Sequence, residues 1–188
     1  KANQVLIPLE KLYRRYTGES LAVKLSDFAD VSERIQYLVT QVEEITKIDN
    51  FGAYLTAMLE IDAFFMNEDR HTNNIAVIYN EKTQKYELSP FFDQGLCMFA
   101  DINQDYPIDQ SLEYCLEKIE AKPFSPDFDI QLDAAEELYG IQIGFQFTFK
   151  DIQIYLQKNS ENYPREVIRR VEQLLRGQMR KYGYLMKK

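Results

Sequence analysis

The chain is expected to fold as a mainly α, α+β domain: a helical bundle with one small β-hairpin. Three observations predict this. Apolar residues recur at helical spacing over 31–47 and almost without a break over 51–66. Two short strand-like runs, Ile75-Ala76-Val77-Ile78-Tyr79 and Lys85-Tyr86-Glu87-Leu88, flank a polar turn from Asn80 to Gln84. Hydrophobic residues make up 45% of the 188, enough for a sizeable core, and the length suits one domain over 1–188.

Each element has a local justification. The first 25 residues hold a short amphipathic piece, Leu9, Leu12, Tyr13 and Tyr16, and a turn at Gly18. Asp30 reads as an N-cap with Glu33 three residues on, and Ile35, Leu38, Val39, Val42 and Ile45 follow as one helical face. Asp49-Asn50 is expected to cap the next helix. Its Leu55, Met58, Leu59, Ile61, Phe64, Phe65 and Met66 are apolar nearly all round, so it is expected to be buried on most sides. It runs directly into Asn67-Glu68-Asp69. The hairpin follows. Pro107 and Asp109 precede a helix at about 110–120, and Pro123 and Pro126 punctuate a loop. Helices are expected over 130–139 and 150–158, with Gly140 and Gly144 breaking the stretch between. The last helix starts at Pro164, a favoured first-turn residue, with Val167, Val171, Leu174, Leu175 and Met179 on its inner face.

Composition narrows the function. The net charge of −8 disfavours direct nucleic-acid binding, which relies on a basic footprint. Two cysteines, Cys97 and Cys115, make no disulfide framework, so a reducing, cytoplasmic setting is expected. No apolar run reaches the ~18 residues of a membrane span, and no signal peptide is visible. The chain starts at Lys1 rather than Met, as an excised piece of a longer protein would. Residues 101–137 carry 11 acids and two lysines, whereas Pro164 onward carries eight basic residues and two acids. Such runs are solvated faces or, for the acidic one, a docking surface for a basic substrate.

The most informative segment is 66–95, MNEDRHTNNIAVIYNEKTQKYELSPFFDQG. An Asp, Asp69, is followed five residues on by Asn74. The hairpin comes next, and then a second Asp, Asp93, with Gly95 two residues beyond. Phosphoryl transfer needs such groups: an Asp to orient the attacking hydroxyl, and an Asn and an Asp to hold Mg²⁺ on the phosphates. Three polar loop residues can also serve only to cap helices and a turn. The order, bracketing a hairpin, favours chemistry.

The segment resembles the catalytic core of HipA-like kinases, whose pattern runs Asn-x-Asp-x-His-x-x-Asn, a hairpin, then Pro-x-x-Asp. Here these are Asn67, Asp69, His71 and Asn74, then Pro90 and Asp93. It is more distantly similar to the Asp-Arg-His-x-x-Asn of phosphoinositide kinases. The strong match covers about 30 residues. A weaker one extends through the two preceding helices and the Ala121-Lys122-Pro123-Phe124-Ser125 stretch. The resemblance implies a kinase-like C-terminal lobe. Asp69 is then the catalytic Asp, and Asn74 and Asp93 hold Mg²⁺ and with it ATP. His71, the single histidine, either orients Asp69 or a phosphate oxygen or is a satisfied loop residue. Arg70 either neutralises phosphate or, more in keeping with its neighbours, pairs with an acid. Asn67 and Asn73 shape the loop. Gln94 replaces the Phe of Asp-Phe-Gly, which the HipA-like pattern tolerates. Cys97 reads as a buried small hydrophobe.

Other kinase parts are not visible. The seven glycines form neither G-x-G-x-x-G nor a Walker A loop. Leu21-Ala22-Val23-Lys24 superficially resembles a Val-Ala-Ile-Lys strand, but no glycine-rich hairpin can stand before it. The expectation is therefore the C-terminal lobe of a Ser/Thr kinase, inactive alone, with ATP, a protein substrate and a separate nucleotide-gripping N-terminal lobe as partners. The alternative is a non-catalytic, stand-alone module that keeps the fold for binding or regulation, toxin-like in a genetic pair with an antitoxin-like partner. A metal-dependent phosphohydrolase fits less well, because such enzymes cluster His with carboxylates.

Overall fold

The computed structural model of the protein describes residues 3–187. Lys1, Ala2 and Lys188, which belong to the expected 1–188 domain, lie outside them. In chain order the elements are β1 (Gln4–Pro8), α1 (Leu9–Thr17), α2 (Leu21–Ser26), α3 (Val31–Thr46), α4 (Phe51–Phe65), β2 (Ala76–Asn80), β3 (Lys85–Leu88), α5 (Leu112–Lys118), α6 (Phe128–Tyr139), α7 (Phe149–Lys158) and α8 (Arg165–Lys181). A single 3-10 turn, Gly183–Leu185, follows. The chain is mainly helical with one small antiparallel sheet. Among the described residues no helix is long and apolar enough to cross a membrane.

The sheet has three strands in the order β1-β2-β3, so it exceeds the expected hairpin. Ile7 lies opposite Val77, and Val77 opposite Leu88. The Val5-Leu6-Ile7 run is too short to declare itself locally. It becomes a strand because the distant β2 has an unpaired edge, which β1 fills. Leu21–Ser26, by contrast, is helical: the Ser20 side chain caps it, and Lys24 pairs with Asp27 on its surface.

The helix ends follow their caps. Asp30 accepts from Glu33 N at 3.1 Å. Ser111, Asp127 and Thr148 cap α5, α6 and α7, the last in a full capping box with Asp151. Caps of this kind stabilise by ~1 kcal/mol each. Two expectations are corrected. Asn50 makes no side-chain cap on α4, because its φ of −132° and ψ of 30° leave the extended form that aims a cap. Glu43 of α3 takes the role, accepting from Phe51 N at 3.0 Å. Pro164 is the residue before α8 rather than its first turn.

Helix α4 is the axis of the fold, packed against α3, α6 and α8. It is buried nearly all round, as its composition predicts, yet Thr56, Glu60 and Asp62 are buried with it. Each has a partner from elsewhere. Thr56 Oγ1 donates to Gly52 O and, at 3.4 Å, to Ala135 O of α6. Glu60 accepts from the backbone N–H groups of Gln142 and Ile143 at 2.7 and 2.6 Å. Burial pushes the Glu60 carboxyl up, and these two donors oppose the rise.

Gly52 of α4 faces the Tyr139 ring of α6: a Cβ there would overlap that ring. Gly-to-Ala in a helix ordinarily stabilises by up to ~1 kcal/mol. Here the sign should reverse. Gly52→Ala is expected to cost about 1–3 kcal/mol through overpacking, lowering the melting temperature by several degrees. A thermal melt at or above that of wild type would show that Tyr139 swings away freely.

Candidate active site

The candidate site begins where α4 ends. Met66 closes the helix in the left-handed region at φ 54°, and its N–H returns to Asp62 O. This turns the chain sharply out of the core at Asn67. Asn67 then shapes the loop in two directions. Its Nδ2 donates to Asp62 Oδ1 at 2.8 Å, and its Oδ1 accepts from Asp69 N at 3.3 Å. Asp69 is held on a rigid stem, as a catalytic group requires.

Asp69 and Asn74 meet directly. Asn74 Nδ2 donates to Asp69 O at 2.8 Å and to Asp69 Oδ2 at 3.2 Å. Two backbone bonds, His71 N to Asp69 O and Asn74 N to His71 O, wind the turn from 69 to 74 that brings them together. His71 Nδ1 accepts from Asn73 N at 3.2 Å. Its Nε2 stands 3.8 Å from Asp69 Oδ1. That is a contact able to orient Asp69, too long for a hydrogen bond.

Arg70 joins the two limbs of the site. It is fully buried. Its Nε and Nη2 grip both oxygens of buried Asp62 at 2.6 and 3.0 Å. Its Nη1 donates to Asn74 O at 2.6 Å and to Phe92 O at 2.9 Å. One nitrogen thus ties the backbone at Asn74 to the backbone just before Asp93. Burial pushes the Asp62 carboxyl up, opposed by Arg70 and Asn67. Arg70 is an acid's partner and a backbone clamp, and it has no free face for phosphate.

Asp93 itself is exposed, with φ 56°. A non-glycine residue in this region is uncommon and clusters at functional sites. The return path to it is pinned at several points. Tyr54 OH and Ser89 Oγ are 2.9 Å apart, Tyr54 and Phe91 pack ring against ring, and Met98 N donates to Phe65 O at 2.9 Å. Cys97 is buried beside Asp62, and desolvation with that negative charge pushes its thiol up to about 12, which makes it an inert packing residue.

The donor set suits Mg²⁺ carried on a nucleotide. Both Asn74 and Asp93 offer oxygen. The Asn74 amide nitrogen is committed to Asp69, which leaves its Oδ1 as the available oxygen, and Asp93 is solvent-facing. Among the described residues no three His, Cys, Asp or Glu side chains converge as a self-sufficient cage. A nucleotide-borne Mg²⁺ does not need one, since phosphates and water complete its shell.

Two contributors escaped the sequence reading. Lys122 Nζ reaches Asp69 Oδ1 at 3.5 Å. Its stretch was part of the weaker resemblance, but a lone Lys in a Pro-bounded loop carries no sign of what it will touch. Asp62, inside an apolar helix, was also silent. The acidic stretch is partly used up locally: Asp127 caps α6, Asp105 pairs with Lys118, and Asp129 pairs with Lys181. Next to Asp69, Tyr106 OH donates to Glu68 Oε2 at 2.5 Å and ties the 101–107 loop to the site. Burial pushes both groups up.

Compared with family models, with curated protein sequences and with solved structures, the chain matches none.

Proposed function

We propose that the chain is the catalytic-loop lobe of an ATP- and Mg²⁺-dependent, HipA-like Ser/Thr protein kinase. The observation that carries the reading is the Arg70 clamp. A buried guanidinium fixes Asn74 and the Phe92-Asp93 backbone to one nitrogen while Asn74 holds Asp69 directly. Capping alone calls for no such link between two loops separated by a hairpin.

The roles follow from position. Asp69 accepts the proton of the substrate hydroxyl as that oxygen attacks the γ-phosphorus of ATP. The bond from the γ-phosphorus to the β–γ bridging oxygen breaks, and ADP leaves with that electron pair. Asn74 and Asp93 would hold Mg²⁺, which when bound neutralises charge on the β- and γ-phosphates. His71 Nε2 orients the Asp69 carboxylate. Asn67 and Arg70 keep the loop in register. The nucleotide-gripping lobe, with a lysine for the phosphates, is assigned to another part of the protein.

The test is transfer of γ-label from ATP, with Mg²⁺, by the full protein that carries this chain. Label on Ser or Thr of the protein itself or of a protein substrate is expected. This chain alone should bind Mg·ATP only weakly in calorimetry and transfer nothing. Nucleotide binding by the full protein with no transfer under any condition would favour a binding or regulatory module instead.

A further inference from the structure

Lys122 has no counterpart among the roles assigned above. We propose that it is the cation that faces the transferred phosphoryl group in this site. The inference rests on the kinase reading and adds a residue to it.

The argument starts from charge. The catalytic loop carries Glu68, Asp69 and, across the clamp, Asp93. Arg70 cannot offset an incoming phosphate, because it is fully buried and committed to Asp62 and two carbonyls. Among the described residues Lys122 is the one Lys or Arg paired with Asp69, at 3.5 Å from Oδ1. The other oxygen, Oδ2, takes the Asn74 amide. The ammonium therefore stands at the carboxylate oxygen that the Asn74 amide does not take, which His71 Nε2 also faces from 3.8 Å.

The backbone beneath it is unusually well fixed. Gln131, 1% exposed, donates from Nε2 to Lys122 O at 3.1 Å and accepts from Phe124 N at 3.4 Å. Arg34 Nη1 donates to Phe124 O at 2.6 Å, and Ala121 N donates to Pro126 O at 2.7 Å. Four bonds from three directions hold a loop whose Lys side chain is itself half exposed. Such a surface pair is worth little to stability. A fixed backbone under a half-exposed, weakly paired cation suits a ligand that arrives beside Asp69: the ammonium leaves the carboxylate to the hydroxyl proton and meets a non-bridging phosphoryl oxygen. That oxygen gains charge as the bond to ADP breaks, so a cation placed there lowers the barrier.

The experiment compares wild type, Lys122→Met and Lys122→Arg in the full protein that carries this chain. Three quantities are measured: kcat with γ-labelled ATP, affinities for Mg·ATP and Mg·ADP by calorimetry, and melting temperature. Lys122→Met should lower kcat by about 100-fold. It should also narrow the preference for Mg·ATP over Mg·ADP by about fivefold, the weight of one charge contact in water. Lys122→Arg should recover most of both, with melting unchanged throughout. A Lys122→Met protein with wild-type kcat and wild-type nucleotide preference overturns the role of Lys122 and leaves the kinase reading standing. A wild-type protein that binds neither nucleotide and transfers no label overturns the kinase reading itself.

Discussion

Asp69→Asn is expected to lower phosphotransfer by the factor of about 10²–10⁴ that a positioned base contributes, with the fold intact. The substitution keeps the side chain's shape, and one oxygen can still accept the Asn74 amide. What it removes is the proposed proton acceptor and the ion pair with Lys122, whose side chain is 49% exposed. An exposed pair of this kind contributes about 0–1 kcal/mol. The melting temperature should therefore move by only a few degrees. Asp93→Asn should also abolish transfer, but by loosening Mg²⁺ on the phosphates. Excess Mg²⁺ should restore part of the activity of the Asp93 variant and none of that of the Asp69 variant. A full-protein kinase assay over a Mg²⁺ series, with melting in parallel, reads both effects. Near-wild-type turnover by Asp69→Asn would remove that residue from the catalytic role and leave only the metal pair.

Arg70→Met should be the most destabilising single change in the loop, at about 3–5 kcal/mol, the cost of leaving a buried charge without its partner. Asn74 O and Phe92 O lose their donor at once, and the Asp62 carboxylate keeps only the Asn67 amide. Replacing both members of a buried ion pair with apolar residues is often neutral. That rescue should fail here. In Asp62→Leu/Arg70→Met the charge is gone, but the buried Asn74 carbonyl and the part-buried Phe92 carbonyl are left without a donor, at up to about 1–3 kcal/mol each. Urea unfolding of the two single variants and the double variant measures this. A double variant as stable as wild type would mean that solvent reaches those carbonyls and that Arg70 is no clamp. Asp62→Leu/Arg70→Met should also lose activity beyond its loss of stability, since it unties the Asn74 carbonyl from the Phe92-Asp93 backbone.

The elements that were legible share one property: their cause is local. The inner face of α3 follows from apolar spacing, and Asp30 caps it within three residues. The pairing of β2 with β3 follows from two runs and a polar turn. The order of Asp69, Asn74 and Asp93, with a hairpin to return the chain, could likewise be read directly. Asn67 as a loop shaper and Cys97 as a packing residue needed only the habits of their residue types. The errors were at places where a partner comes from far away. Asn50 looks like a cap, but Glu43 supplies it. The face of α8 read as apolar also buries Arg170 and Gln178, which donate to Tyr106 O and Ala63 O respectively.

The sequence by itself determined a mainly helical chain, several of its helix caps, its hairpin and the order of a set of candidate groups. Only the tertiary structure decided that β1 completes the sheet, that Arg70 spans the two limbs of the site, and that Lys122 meets Asp69. The physical reason lies in the partners. Helical periodicity and caps involve residues three or four apart, so their chemistry is written within a single window. The decisive contacts of Arg70, Arg170 and Gln178 end on backbone carbonyls, and every residue has one. Such an acceptor carries no mark in the sequence, and only the packed chain shows which carbonyl a buried donor finds.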